Sequence, residues 1–228
     1  MATLVLSGLL TADSLDAPRT TVPAVIVGGS AAKGWHDRTN EGYVARALGE
    51  YEGMARIQFV IENHAIPGAT VTDGTIARHF PRWMKQTRGG LVVLAWGLLN
   101  DIRLKTNDNA VLGEVKREIR DALATHHVVL VVSPPATIAT FTFDRSAQPR
   151  LWRQIAAVAR SFHSPHISVI DVMQPMQADI LAHHQSPWIY MKGKWDPNTR
   201  GHMLAAHFLV QGLKRVWRGS MPRFSSKR

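Results

Sequence analysis

The stretch AVIVGGSAAKGW, Ala24 to Trp35, begins as a short apolar run and breaks abruptly at two glycines and a serine. An apolar run of this length, stopped by glycine, is the pattern of a buried strand. Four more such runs follow: IQFVIENHA (Ile57–Ala65), GLVVLAW (Gly90–Trp96), HVVLVVS (His127–Ser133) and ISVIDV (Ile167–Val172). Between them lie helix-length segments. GYVARALGEYEGM follows the first run, and TDGTIARHFPRWMKQT follows the second, with Pro81 expected to bend it. NAVLGEVKREIRDALATH carries an apolar stripe at Val111, Leu112, Val115, Ile119, Ala122 and Leu123. PRLWRQIAAVARSFH precedes the fifth run, and TRGHMLAAHFLVQGLKRVW closes the chain as a long amphipathic helix.

Strands buried on both faces and alternating with helices imply a parallel sheet, and right-handed crossovers make it a three-layer α/β/α sandwich of flavodoxin-like type. In such a sheet ligands bind at the carboxyl ends of the strands. The chemistry is therefore sought there.

Bulk properties bound the rest. The 228 residues, 45% hydrophobic and 19% charged, fit one globular domain. With no cysteine, disulfides, thiolate metal sites and a cysteine nucleophile are excluded. The net charge of +10 points towards nucleic acid, but Lys214, Arg215, Arg218, Arg223, Lys227 and Arg228 crowd the last fifteen residues, and subtracting these six leaves +4. A solvated basic tail, in weak contact with an anionic surface, accounts for the excess better than specific nucleic-acid binding. The apolar run Thr3–Leu10 lacks preceding basic residues and is too short to span a bilayer. The expected layout is a lead-in or trimmed leader over 1–22, one domain over 23–217 and a basic tail over 218–228. The domain reads as soluble, with its compartment open between cytoplasm and cell envelope.

Three strand ends carry candidate chemistry. The first presents Ser30 on a glycine turn; neither a GK[ST] phosphate loop nor a GxSxG elbow is present. The second runs into ENHAIPGAT, where Gly68 would offer a backbone N–H at the sheet edge. The third ends in AWGLLNDIRL, where the Asn100 amide could donate to a developing oxyanion and Asp101 could tie the loop down. Each alone is an ordinary turn or cap.

In this order, the three blocks resemble the SGNH (GDSL-like) hydrolase superfamily, whose members carry a Gly-Asp-Ser block, a lone glycine, a Gly-x-Asn-Asp block and a terminal Asp-x-x-His block. The likeness runs from about Val25 to Leu209. It places Gly29 where the family often has aspartate, and one extra residue separates Gly97 from Asn100. The resemblance implies an ester-hydrolysis site with Ser30 as nucleophile and an oxyanion hole made by the Ser30 and Gly68 N–H groups and Asn100. It calls for no cofactor.

The last block departs from the pattern. Aligning PNTRGH puts Asp196 at the histidine position and Gly193 at the aspartate position. An ordinary aspartate, with a pKa near 3.9, is a weak base for serine. His202, six residues on, is the other catalytic candidate, although a residue inside a helix points differently from one before it. His36 and His64 are possible cleft residues. The pairs His126–His127 and His183–His184 point apart and lack a third ligand, so no metal site is expected. Trp35 and Trp195 are candidates for an apolar substrate pocket. Two readings result: a serine esterase acting on acyl or acetyl esters through an acyl-serine, and a non-catalytic relative that binds an acylated carbohydrate or peptide. The ester is expected to be a small molecule or linked to a polymer.

Overall fold

A computed structural model of the chain describes residues 19–217 and Phe224. The lead-in up to residue 18 and most of the basic tail lie outside the described residues. The chain folds as β1 (Thr20–Gly28), α1 (Ser30–Lys33), α2 (Gly42–Ala55), β2 (Ile57–Asn63), α3 (Gly74–Gln86), β3 (Leu91–Ala95), α4 (Leu99–Arg103), α5 (Asp108–Ala124), β4 (Val128–Val132), α6 (Ile138–Phe141), α7 (Ala147–Arg160), β5 (Ile167–Ile170) and α8 (Met173–Ala182). A 3-10 turn over Pro187–Tyr190 then leads into the small hairpin β6 (Met191–Lys192) and β7 (Asp196–Pro197), and α9 (Thr199–Val216) ends the fold.

All five long strands run parallel in the order β2-β1-β3-β4-β5, the flavodoxin-like arrangement expected from the sequence. β3 and β4 are wholly buried, as is β1 from Ala24 onward, because helices cover both faces. Helices α2 and α9 pack together on one face, while α3, α5 and α7 pack on the other. Capping side chains start three of the long helices: Asp73 accepts from the Thr75 and Ile76 amides, Asn107 from those of Asn109 and Ala110, and Asn198 from that of Gly201. No helix among the described residues is long and apolar enough to cross a membrane.

One expectation needs correction. β1 begins at Thr20, not after Pro23, so the first three residues of the strand fall inside the expected lead-in. Thr20–Pro23 pair with Ile57–Val60 of β2, and β3 joins only from Ala24 onward. Pro23 therefore sits where β1 is still an edge, the position in a sheet where a missing N–H is tolerated. Pro81, where a bend is expected, lies inside α3, which runs continuously from Gly74 to Gln86.

β1 is the switch point of the sheet. The chain leaves it towards β2 on one side and returns on the other side at β3, so the connections after β1 and β3 diverge and open a crevice above their carboxyl ends.

Candidate active site

The crevice is a cleft of about 350 Å³. Ser30, Trp35, Gly68, Asn100, Trp195 and Asp196, all singled out from the sequence, line it together. His202 does not line it, and neither do His36 and His64.

Ser30 is the first residue of α1, in a tight strand–turn–helix corner. The corner forms because β1 and β3 approach closely at their ends: a Cβ on Gly28 would lie well inside contact distance of the Ala95 carbonyl. Gly29 is different. A Cβ there would stand 3.6 Å from the Gly97 nitrogen, an ordinary contact, so the position of the family's aspartate has no close approach that demands glycine. The turn closes with the Trp35 amide donating to the Ser30 carbonyl at 3.0 Å.

Gly68 adopts φ +84, with its N–H in the loop after β2. That loop is clasped from the other side of the cleft by the Asn100–Asp101 pair. Asn100 Nδ2 donates to the Ala69 carbonyl at 3.2 Å, and the Val71 amide donates to both Asp101 carboxylate oxygens, at 3.1 and 3.3 Å. An amide group carries two N–H donors, so this bond fixes Asn100 while leaving a second hydrogen for a ligand. Burial pushes the Asp101 carboxyl up to about 6, against the lowering effect of the Val71 N–H. Asp101 thus ties down the neighbouring loop rather than its own.

The additional residue in the third block is absorbed at Leu98, which takes the left-handed conformation (φ 68) and buries its side chain. That extra corner brings Asn100 back to the cleft on the first turn of α4.

The rest of the wall was not singled out from the sequence. Pro134, Pro135 and Thr137 come from the end of β4, Arg103 and Leu99 from α4, and Gln148 from α7. The strand-end rule, applied to β4 as it was to β1–β3, would have found the prolines and Thr137. Gln148, far away in sequence, gave no such signal. Its Nε2 donates to the Gly97 carbonyl at 2.6 Å, holding the glycine of the third block. Trp195 is braced by Phe143, edge-on at 5.1 Å, and by the Arg103 guanidinium 4.7 Å from its ring centroid.

The last block arrives on the β6–β7 hairpin, which turns at Gly193 (φ +74) and delivers Asp196 to the cleft. No hydrogen bond joins the Ser30 hydroxyl to the Asp196 carboxylate. His202 lies beneath the cleft and is fully buried, its Nε2 bonded to the Trp35 carbonyl at 3.0 Å. A carbonyl only accepts, so Nε2 carries the proton. Burial lowers the tendency of this ring to become charged, with the Trp35 carbonyl opposing. Gly201 lets α9 start this close, since a Cβ there would collide with the Tyr190 carbonyl. His36 stands edge-on to Trp35, and His64 stacks flat on Trp83 at 3.9 Å and pairs with Glu62 at 3.2 Å. Among the described residues, the cleft is lined by a serine and a carboxylate but by no histidine.

Comparison with known proteins agrees with this fold. The model of the GDSL-like lipase/acylhydrolase family matches residues 26–204. Axe2, an acetylxylan esterase from Geobacillus stearothermophilus, has a similar structure at TM-score 0.67 and 14% identity, over 92% of this chain and 99% of its own. The YXIM protein of Bacillus subtilis superposes at TM-score 0.69 and 20% identity over 90% of this chain, which spans 60% of that protein. A two-domain esterase active on acetylated mannans gives TM-score 0.69 and 16% identity over 91% of this chain and 52% of its own. No curated protein matches the sequence. With the family model covering most of the chain and the fold in agreement, the chain belongs to the GDSL-like lipase/acylhydrolase family.

Proposed function

We propose that the protein is a serine esterase that cleaves acyl or acetyl esters at Ser30. The observation that carries this reading is the convergence of Ser30, Gly68, Asn100 and Asp196 on one cleft at the switch point of the sheet. The Ser30 oxygen adds to the ester carbonyl and its proton passes to Asp196, the one carboxylate lining the cleft. The charge on the carbonyl oxygen is met by the N–H groups of Ser30 and Gly68 and by the free hydrogen of Asn100 Nδ2. One such donor is worth about 3 kcal/mol in the transition state. Collapse expels the alcohol, which takes the proton back from Asp196, and leaves an acyl-serine. Water then adds to the acyl group, gives its proton to Asp196, and the carboxylic acid departs as Ser30 is reprotonated. Trp35 and Trp195 wall the pocket for the ester. His202 acts as a positioning residue, through its bond to the Trp35 carbonyl. The acetylxylan and acetylated-mannan esterases among the structural relatives support an acetylated, polymer-linked substrate.

One observation favours the second reading, a protein that binds the ester without turnover: no histidine among the described residues lines the cleft. A fluorescent phosphonate that labels activated serines separates the two, run beside p-nitrophenyl acetate turnover. Labelling and turnover that vanish in Ser30→Ala support the esterase. Silence in the natural chain, with activity in Gly193→Asp/Asp196→His, supports the binder. The double variant is compatible with the fold, because Gly193 is exposed with nothing within 4 Å of an added Cβ, and aspartate is among the residues that enter the left-handed region.

A further inference from the structure

Among the described residues, the exposed tryptophan and phenylalanine side chains are Trp35, Phe143 and Trp188, at 49%, 53% and 53% exposure. All three lie on the cleft side. Trp35 lines the cleft, Phe143 braces Trp195, and Trp188 belongs to the 3-10 turn that packs on α6 and on the start of α9. Two aliphatic side chains join them: Leu104, exposed at 72% just after α4, and Ile189, beside Trp188. The remaining exposed aliphatic and methionine side chains are Met54 on α2, Val60 on β2, Leu181 on α8, and Met203 and Val216 on α9, and single exposed apolar residues are unremarkable. Two exposed rings at the cleft, with a third on the turn that leads into its β6–β7 hairpin, are not.

The same loops are basic. Arg103, Lys105, Arg145, Lys192 and Lys194 are all exposed there. The acids of these loops are largely engaged: Asp37 is buried against Arg46, Glu41 pairs with Arg46 at 3.3 Å, and Asp196 is inside the cleft, which leaves half-buried Asp144. Tryptophan and phenylalanine interleaved with lysine and arginine are what the headgroup region of a bilayer accepts: rings at the acyl boundary, cations at the phosphates.

We propose that the rim of the cleft docks on an anionic lipid surface, with Trp188, Phe143 and Leu104 entering the headgroup layer and Lys192 and Lys194 facing its phosphates. The cleft mouth would then open onto the membrane. The docking is independent of catalysis at Ser30, because it is measured on the unreacted chain.

The test is co-flotation of the full-length protein with vesicles of phosphatidylcholine alone or mixed with phosphatidylglycerol at about three to one. Brominated phosphatidylcholine serves as a quencher of tryptophan in the acyl region. Binding should be stronger on anionic vesicles and accompanied by quenching. Trp188→Ser should weaken binding and reduce quenching, and Lys192→Gln/Lys194→Gln should lower affinity about thirtyfold, at about fivefold per lysine. Circular dichroism checks that both exposed-site variants remain folded. The proposal is overturned if the natural chain floats with neither vesicle, or if both variants bind as it does, which would assign binding to the basic tail. It is also overturned if soluble alginate is bound more tightly than the vesicles and with the same residue dependence, since the partner would then be an acidic polymer.

Discussion

Replacing Glu118 by glutamine should stabilise the protein at neutral pH, by an amount that grows as the pH rises. Glu118 is on α5 with no exposed surface, and its Oε2 accepts from Trp96 Nε1 at 3.0 Å. Its Oε1 is buried without a partner. Burial raises the carboxyl from 4.5 to about 8, with the Trp96 bond acting the other way. Between those two values the unfolded chain has released the proton and the folded chain keeps it, so the folded state binds more protons and stability falls as pH rises. The loss is about 1.4 kcal/mol per pH unit: about 3 kcal/mol by pH 7 and about 5 kcal/mol near pH 8, where it levels off. Glutamine keeps an acceptor for Trp96 and cannot ionise. The neutral acid already buries one unpaired O–H, and the amide's second N–H adds only an offset that does not change with pH. The variant and the natural protein should therefore unfold with only that offset between them near pH 4.5 and diverge above it, by about 6–12 °C in midpoint at pH 7 for a chain of this size. Thermal unfolding followed by circular dichroism at pH 5, 6, 7 and 8 measures the difference. A difference that stays constant across that range would refute the reasoning, because it would mean Glu118 ionises alike in both states.

Three further outcomes are expected. His127, buried between the Thr87 and Thr125 hydroxyls at 3.1 and 2.9 Å, is lowered by burial from 6.5 to about 4. Stability should fall as pH drops through that interval, by about 3 kcal/mol in all, and His127→Gln should flatten this acid limb in the same unfolding series. Gly28→Ala should cost about 3 kcal/mol or more, or abolish folding, because its Cβ meets the Ala95 carbonyl, whereas Gly29→Ala should unfold within about 1 kcal/mol of the natural protein. Asp101→Ala should leave the Val71 N–H buried and unpaired, at about 1–3 kcal/mol, and should slow phosphonate labelling of Ser30 by loosening the loop that holds Gly68; equal labelling rates would refute that coupling.

The sheet was legible because its strands are continuous apolar runs ended by glycine or polar residues, a signal that survives without tertiary information. The short pieces were not. α1, α4 and α6 span four or five residues, too few to show a helical period, and the two strands of the β6–β7 hairpin have two residues each. α8 buries Met173, Met176 and Ile180 on one face and carries Pro175 in its first turn, where proline is tolerated. The strand-end rule led to the residues of β1, β2 and β3 that meet at the cleft. Gln148 was invisible to it, because its bond to Gly97 spans 51 positions and depends on how α7 lies across the sheet. The separation of His202 from the cleft follows from its phase on α9: Asn198 caps the helix, and one turn later the ring is directed inward to Trp35.

Leu98 divides the third block into two mechanical parts. Gly97 stays with β3 and with Gln148 of α7, while Asn100 and Asp101 travel with α4, and both hold residues 69–71. The natural unit of exchange is thus α4 together with the loop after β2. A loop graft from a relative with the shorter Gly-x-Asn-Asp spacing would have to replace both segments at once. Moving either alone would leave one half of the clasp without its counterpart, while the sheet beneath remained unaware of the change.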